Sequence, residues 1–99
     1  MRYKTALITG AARGIGLATA QLMSARGYRV AMVDRDVDEL NAVVTSLDQA
    51  EAFFCDVSVP EETAKMVKSV LAWTGQIDVV VNNAGIADFG PIEETDFAC

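Results

Sequence analysis

Short apolar runs alternate along this chain with longer segments of helical periodicity. Residues 5–9 (TALIT) are largely apolar and end at Gly10, the pattern of a buried strand. Ile15, Ala18, Leu22 and Ala25 recur near one face of a helix predicted over residues 15–26, and Gly27 is placed as its C-terminal cap. Residues 29–33 (RVAMV) predict a second strand. Asp36 with Glu39 reads as a capping box opening a second helix, in which Leu40, Val43, Val44 and Leu47 follow the i, i+3, i+4, i+7 spacing. A third strand is predicted at residues 52–55. Ser58 and Glu61 suggest another capping box, with Pro60 tolerated in the first turn. Ala64, Val67 and Leu71 then mark the inward face of a third helix that stops at Gly75. Residues 78–82 (DVVVN) predict a fourth strand, and residues 90–99 a loop entering another helix near Thr95.

Strands joined by single helices run parallel through right-handed crossovers. Their nearly continuous apolar character suits a sheet covered on both faces. The predicted fold is therefore α/β: a Rossmann-like doubly wound parallel sheet of about four strands in the order 3-2-1-4. Its crevice opens at the carboxyl edge between strands 1 and 4, where the winding reverses.

Composition narrows the function. The 99 residues make one domain or part of one, and 52% hydrophobic against 22% charged residues argues for a packed core. A net charge of −6 without histidine argues against nucleic acid as partner. Cys55 and Cys99 are far apart and join no CxxC or Cys/His cluster, so neither a metal site nor a disulfide framework is expected. No apolar run approaches membrane-spanning length, so no membrane partner is expected. Gly10 and Arg13 break the first apolar stretch, which reads as a strand rather than a signal peptide; a reduced, cytoplasmic setting is expected.

The candidate chemistry begins with Gly10, Gly14 and Gly16, where strand 1 turns into the first helix. Glycine permits the sharp turn and lets the backbone approach a ligand, while the helix offers unpaired N–H groups and a positive dipole end to a pyrophosphate. The plainer reading is a tight βα turn without ligand. Asp34 ends strand 2, eighteen residues past Gly16, where a carboxylate can accept from both adenosine-ribose hydroxyls. The plainer reading is a solvated turn residue or part of the next cap; with the glycines upstream, the ribose role is favoured. Asp34 favours NAD; NADP is the alternative, because Arg35 or Arg13 could pair with a 2′-phosphate. Asp56 could accept from the adenine amino group, with the Val57 N–H reaching a ring nitrogen, although Asp56 also reads as a turn residue. Asn82, Asn83, Ala84 and Gly85 end strand 4; the small pair leaves room for a ribose, and asparagines can hold a frayed strand end.

Together, Thr9-Gly10-Ala11-Ala12-Arg13-Gly14-Ile15-Gly16, Asp34, Asp56-Val57 and Asn82-Asn83-Ala84-Gly85 resemble the short-chain dehydrogenase/reductase family, from residue 4 to about 96. The resemblance implies a nicotinamide-dependent hydride transfer between cofactor and an alcohol or carbonyl. It implies that Gly10, Arg13, Ile15, Asp34, Asp56, Val57, Asn83, Ala84 and Gly85 contact the dinucleotide, while Asn82 braces the central strands. The family's catalytic Ser and Tyr-x-x-x-Lys have no counterpart here: Tyr3 and Tyr28 lack a Lys four residues on. No catalytic residue is assigned, and the chain reads as the cofactor half of a longer enzyme. Two other readings are a stand-alone dinucleotide-binding module and a non-catalytic assembly fragment. The expected partners are a small alcohol or carbonyl substrate for the parent enzyme and further copies of this chain. Strand 4 would form an apolar edge, predicting marginal stability or self-association.

Overall fold

The computed structural model describes residues 3–83. The elements follow as β1 (Thr5–Thr9), α1 (Gly14–Ala25), β2 (Arg29–Asp34), α2 (Val37–Val44), β3 (Ala50–Phe54), α3 (Pro60–Thr74) and β4 (Val79–Asn82). The strands form one parallel sheet in the order β3-β2-β1-β4. In register, Ile8 lies beside Met32 on one side and Val81 on the other.

Strand alternation divides the core in two. Ile8, Val30 and Met32 meet Ala20 of α1 and Leu40 of α2 on one face. Leu7, Ala31 and Val33 meet Met66 and Val70 of α3 on the other. β1 is buried along its whole length, as expected of a strand flanked by neighbours and covered above and below.

The inward faces of two helices differ from those the sequence predicts. Ile15, Ala18, Leu22 and Ala25 are all exposed, Ile15 at 63% and Leu22 at 52%. The buried positions are Gly16 and Ala20, with Leu17 and Met23 packed alongside. The reason is closeness: a Cβ on Gly16 would lie 1.9 Å from the Gly10 carbonyl oxygen, so only the smallest face of α1 fits there. On α3, Met66 and Val70 are buried and Val67 is partly buried, whereas Ala64 and Leu71 are exposed. Trp73 packs on Phe53 with ring centroids 5.9 Å apart, which fixes the rotation of α3.

The strand and cap boundaries are corrected as well. β3 begins at Ala50, because its parallel register sets Ala50 beside Val30 and Phe54 beside Asp34. Asp36 does cap α2, accepting from the Glu39 N–H at 3.1 Å, but the Asp36 N–H donates to Asp34 Oδ1 at 3.0 Å. The expected Ser58–Glu61 box is not formed: the cap position of α3 is Val59, and the Ser58 hydroxyl donates to Asp56 Oδ1 at 2.6 Å. Gly75 does terminate α3, with φ +83°. The helix expected near Thr95 lies outside the described residues. Among the described residues no helix is long and apolar enough to cross a membrane.

Candidate functional site at the carboxyl edge of the sheet

The loop after β1 and the first turn of α1 carry three glycines and are shaped by them. Gly10 and Gly14 have φ of +62° and +59°, a region that L side chains rarely adopt. The two glycines flanking Ile15 serve different ends. Gly16 is packed against backbone, whereas a Cβ on Gly14 would meet nothing within 4 Å and so borders open space. α1 starts without help from side chains: Arg13 at its cap position makes no capping bond, and its first turn holds no acidic residue. α2 and α3, by contrast, carry Asp38 with Glu39 and Glu61 with Glu62 in their first turns. The positive end of α1 thus carries no acidic side chain of its own first turn.

The loop is held from β2. The Ala11 N–H donates to the Val33 carbonyl at 3.1 Å, and the Ala12 N–H donates to Asp34 Oδ2 at 3.1 Å. Asp34, at the end of β2, therefore touches both the glycine loop and, through Oδ1, the Asp36 N–H. Arg13 reaches across the same gap. Its Nη2 lies 2.7 Å from Asp36 Oδ2 and also pairs with Glu39 Oε1. The bond from the Glu39 N–H, aided by Arg13, holds the Asp36 carboxyl below its ordinary value. Arg35 is exposed beside Asp34.

Beyond β3 the turn is self-contained. Asp56 Oδ1 accepts from the Ser58 hydroxyl and the Ser58 N–H, and the Asp56 N–H donates to Glu62 Oε1. Those Ser58 bonds, with a contribution from Arg35, lower the Asp56 pKa. Val57 is exposed next to it, and burial raises the pKa of the Cys55 thiol behind it. At β4, Thr9 Oγ1 donates to Asn82 Oδ1 at 2.9 Å and accepts from the Asn83 N–H at 3.0 Å, bracing β4 to β1. Asn83 Nδ2 is buried without a hydrogen-bond partner among the described residues, a donor that calls for an acceptor.

Gly10, Arg13, Gly14, Ile15, Gly16, Asp34, Arg35, Asp56, Val57 and Asn83 thus lie after the carboxyl ends of the strands, where an open α/β sheet holds ligands. Ala84 and Gly85 lie outside the described residues. Sequence reasoning missed the part played by Thr9, and that of Asp36 and Glu39 as partners of Arg13. The Asp36/Glu39 spacing puts both on one side of the first turn of α2, but nothing local to it points to Arg13. Among the described residues no group of three His, Cys, Asp or Glu is placed to hold a metal ion.

This geometry has a family. The sequence model for short chain dehydrogenase matches residues 4–98, and the chain belongs to the short-chain dehydrogenase family. Galactitol 2-dehydrogenase of Agrobacterium fabrum is 42% identical over 93 residues, which are 93% of this chain. This chain spans 36% of that relative's length. Among solved structures, a metagenomic short-chain oxidoreductase in complex with NADP superposes with a TM-score of 0.80 at 40% identity, covering 86% of this chain and 40% of the other. An NAD+-bound xylitol dehydrogenase superposes with a TM-score of 0.82 at 35% identity, covering 85% of this chain and 34% of the other.

Proposed function

We propose that this chain binds a nicotinamide dinucleotide, NAD in preference to NADP, as the cofactor-binding part of an oxidoreductase acting on a small alcohol or carbonyl compound. The observation that carries the reading is the Asp34 carboxylate, held at the tip of β2 by the Ala12 and Asp36 N–H groups. An ionised carboxylate there accepts from ribose hydroxyls and repels a phosphate. The residues present fit the group. The uncapped start of α1 and the open side of Gly14 suit a pyrophosphate, with Gly10, Ile15 and Gly16 completing the turn. The orphaned Asn83 Nδ2 suits a hydroxyl or carbonyl oxygen of the ligand. Asp56 Oδ1 is engaged by Ser58, so an adenine amino group would be met by the other carboxylate oxygen, with the Val57 N–H beside it.

When bound, the nicotinamide supplies or accepts the hydride. This chain's residues bind and orient the cofactor. The family's Tyr-x-x-x-Lys arrangement is not formed at Tyr3 or Tyr28, which lack a Lys four residues on, and Tyr28 packs against the core. Galactitol 2-dehydrogenase and xylitol dehydrogenase point to a polyol or its ketone as substrate class for the whole enzyme. A cytoplasmic homo-oligomer fits the acidic composition and the outer side of β4, where Val80 is 48% exposed. The test is a titration of the full chain with NADH, followed by its fluorescence. Saturable submillimolar binding is expected; a flat titration of folded protein removes the reading.

A further inference from the structure

We propose that Asp36 and Glu39 act as specificity-determining residues for the cofactor's ribose by holding Arg13 at the start of α2 and so withholding it from the 2′-phosphate of NADP. The inference rests on the dinucleotide reading above and goes beyond it. Arg13 belongs to the glycine loop, and its guanidinium is the basic group that this loop can offer to a phosphate. Its Nη2 is instead bonded to Asp36 Oδ2 at 2.7 Å and paired with Glu39 Oε1. One positive charge therefore faces two carboxylates, and Asp34 adds a third two residues before Asp36.

Asp36 is held by bonds that do not involve Arg13. Asp36 Oδ1 accepts from the Glu39 N–H at 3.1 Å, and the Asp36 N–H is fixed on Asp34 Oδ1. Both residues open α2, where the helix dipole favours negative side chains, so neither gains by moving away. An incoming phosphate would have to compete for Arg13 against this pair while meeting the Asp34 charge. The Arg13 side chain is 64% exposed, and exposed ion pairs are weak, so the device sets a ratio of affinities rather than an absolute bar. Arg13 is in this sense a reserve phosphate ligand, and Asp36 and Glu39 are the positioning residues that keep it in reserve.

The experiment measures NADH and NADPH affinity, by fluorescence titration, for the full chain and its variants. Asp36→Asn combined with Glu39→Gln removes both charges while an amide oxygen can still cap α2. The NADPH-to-NADH affinity ratio should rise about tenfold, the scale of one charge-assisted hydrogen bond. Adding Arg13→Ala to that double variant should abolish the gain. Glu39→Gln alone leaves the Asp36 cap untouched and should move the ratio in the same direction by less. A ratio that does not move on releasing Arg13, with NADH still bound, overturns this inference and leaves the dinucleotide reading standing. A gain that survives Arg13→Ala also overturns it, because relief of repulsion or Arg35 would then explain the change. Binding of neither nucleotide by the unaltered chain removes both.

Discussion

Two turns at the carboxyl edge are built in opposite ways. The β1–α1 loop is fixed from outside, by the Val33 carbonyl and the Asp34 carboxylate of β2. The β3–α3 turn fixes itself. Asp56 Oδ1 gathers Ser58, the Val59 N–H donates to the Asp56 carbonyl, and Glu62 reaches back to the Asp56 N–H. The difference follows from composition. A loop that gives up side chains to let a ligand approach has none left with which to hold its own shape, so its anchor is a neighbouring strand. The anchor here is also the residue proposed to read the ribose. Loop shape and cofactor choice therefore share one side chain, whereas Asp56 shapes a turn that would persist without any ligand.

The sharpest way to break this comparison lies inside the glycine loop. Gly16→Ala should have the largest effect, because its Cβ would collide with the Gly10 carbonyl and force the backbone apart. A loss at or above about 3 kcal/mol, the upper range for overpacking, is expected in urea unfolding. Wild-type stability would mean that α1 does not pack as described. Gly14→Val is the opposite case. A Cβ there meets no neighbour, although φ of +59° imposes roughly 1–2 kcal/mol of strain, and more for a β-branched residue. The variant should fold and lose NADH binding; retained binding would mean that the open side of Gly14 does not receive the dinucleotide.

Next in size is Asp34→Ala. It leaves the Ala12 N–H, in a residue only 1% exposed, without its acceptor, which should cost about 1–3 kcal/mol. NADH should bind more weakly and NADPH relatively better. Asp34→Asn separates the two roles, since an amide oxygen can still accept from Ala12 while the charge is gone, at the cost of the bond from the Asp36 N–H. Stability should recover further than the preference for NADH. Equal recovery of both would mean that Asp34 matters only as a loop anchor.

Most of the framework could be read from local sequence. β1 and the glycine loop announce themselves because a buried parallel strand is continuously apolar and its turn needs glycine. The strand order and the positions of Asp34, Asp56 and Asn83 follow from the same alternation of elements. What was not legible depends on residues far apart. Ile15, Ala18, Leu22 and Ala25 make a plausible inward stripe on α1, yet the contact with Gly10 turns Gly16 and Ala20 inward instead. Ser58 has the spacing of a helix cap, but the cap position falls on Val59 and the Ser58 hydroxyl donates to Asp56 instead. The Arg13 pair with Asp36 and Glu39 spans more than twenty residues, and no periodicity encodes it.

The smallest expected effect concerns acid. Asp36 and Asp56 both titrate below their ordinary value of 3.8, Asp36 through the Glu39 N–H and Asp56 through the Ser58 hydroxyl. A carboxyl whose folded pKa lies below its unfolded one stabilises the fold above the unfolded value, and that contribution fades as pH falls through the folded one. Urea midpoints should therefore decline as pH falls below about 5, modestly, because both groups are solvent-facing and screened. The two carboxylates, one tied to the β1–α1 loop through Arg13 and one within the β3–α3 turn, should differ in how salt changes this decline. Asp36 is held partly by the Arg13 charge, so added salt should shrink its share; Asp56 is held chiefly by a neutral hydroxyl and should lose less. Ser58→Ala should flatten the acid decline at high salt more than Arg13→Ala does. The reverse order would place the stabilisation of the β3–α3 turn in its charges rather than in its own hydrogen bonds, and the contrast between the two turns would not hold.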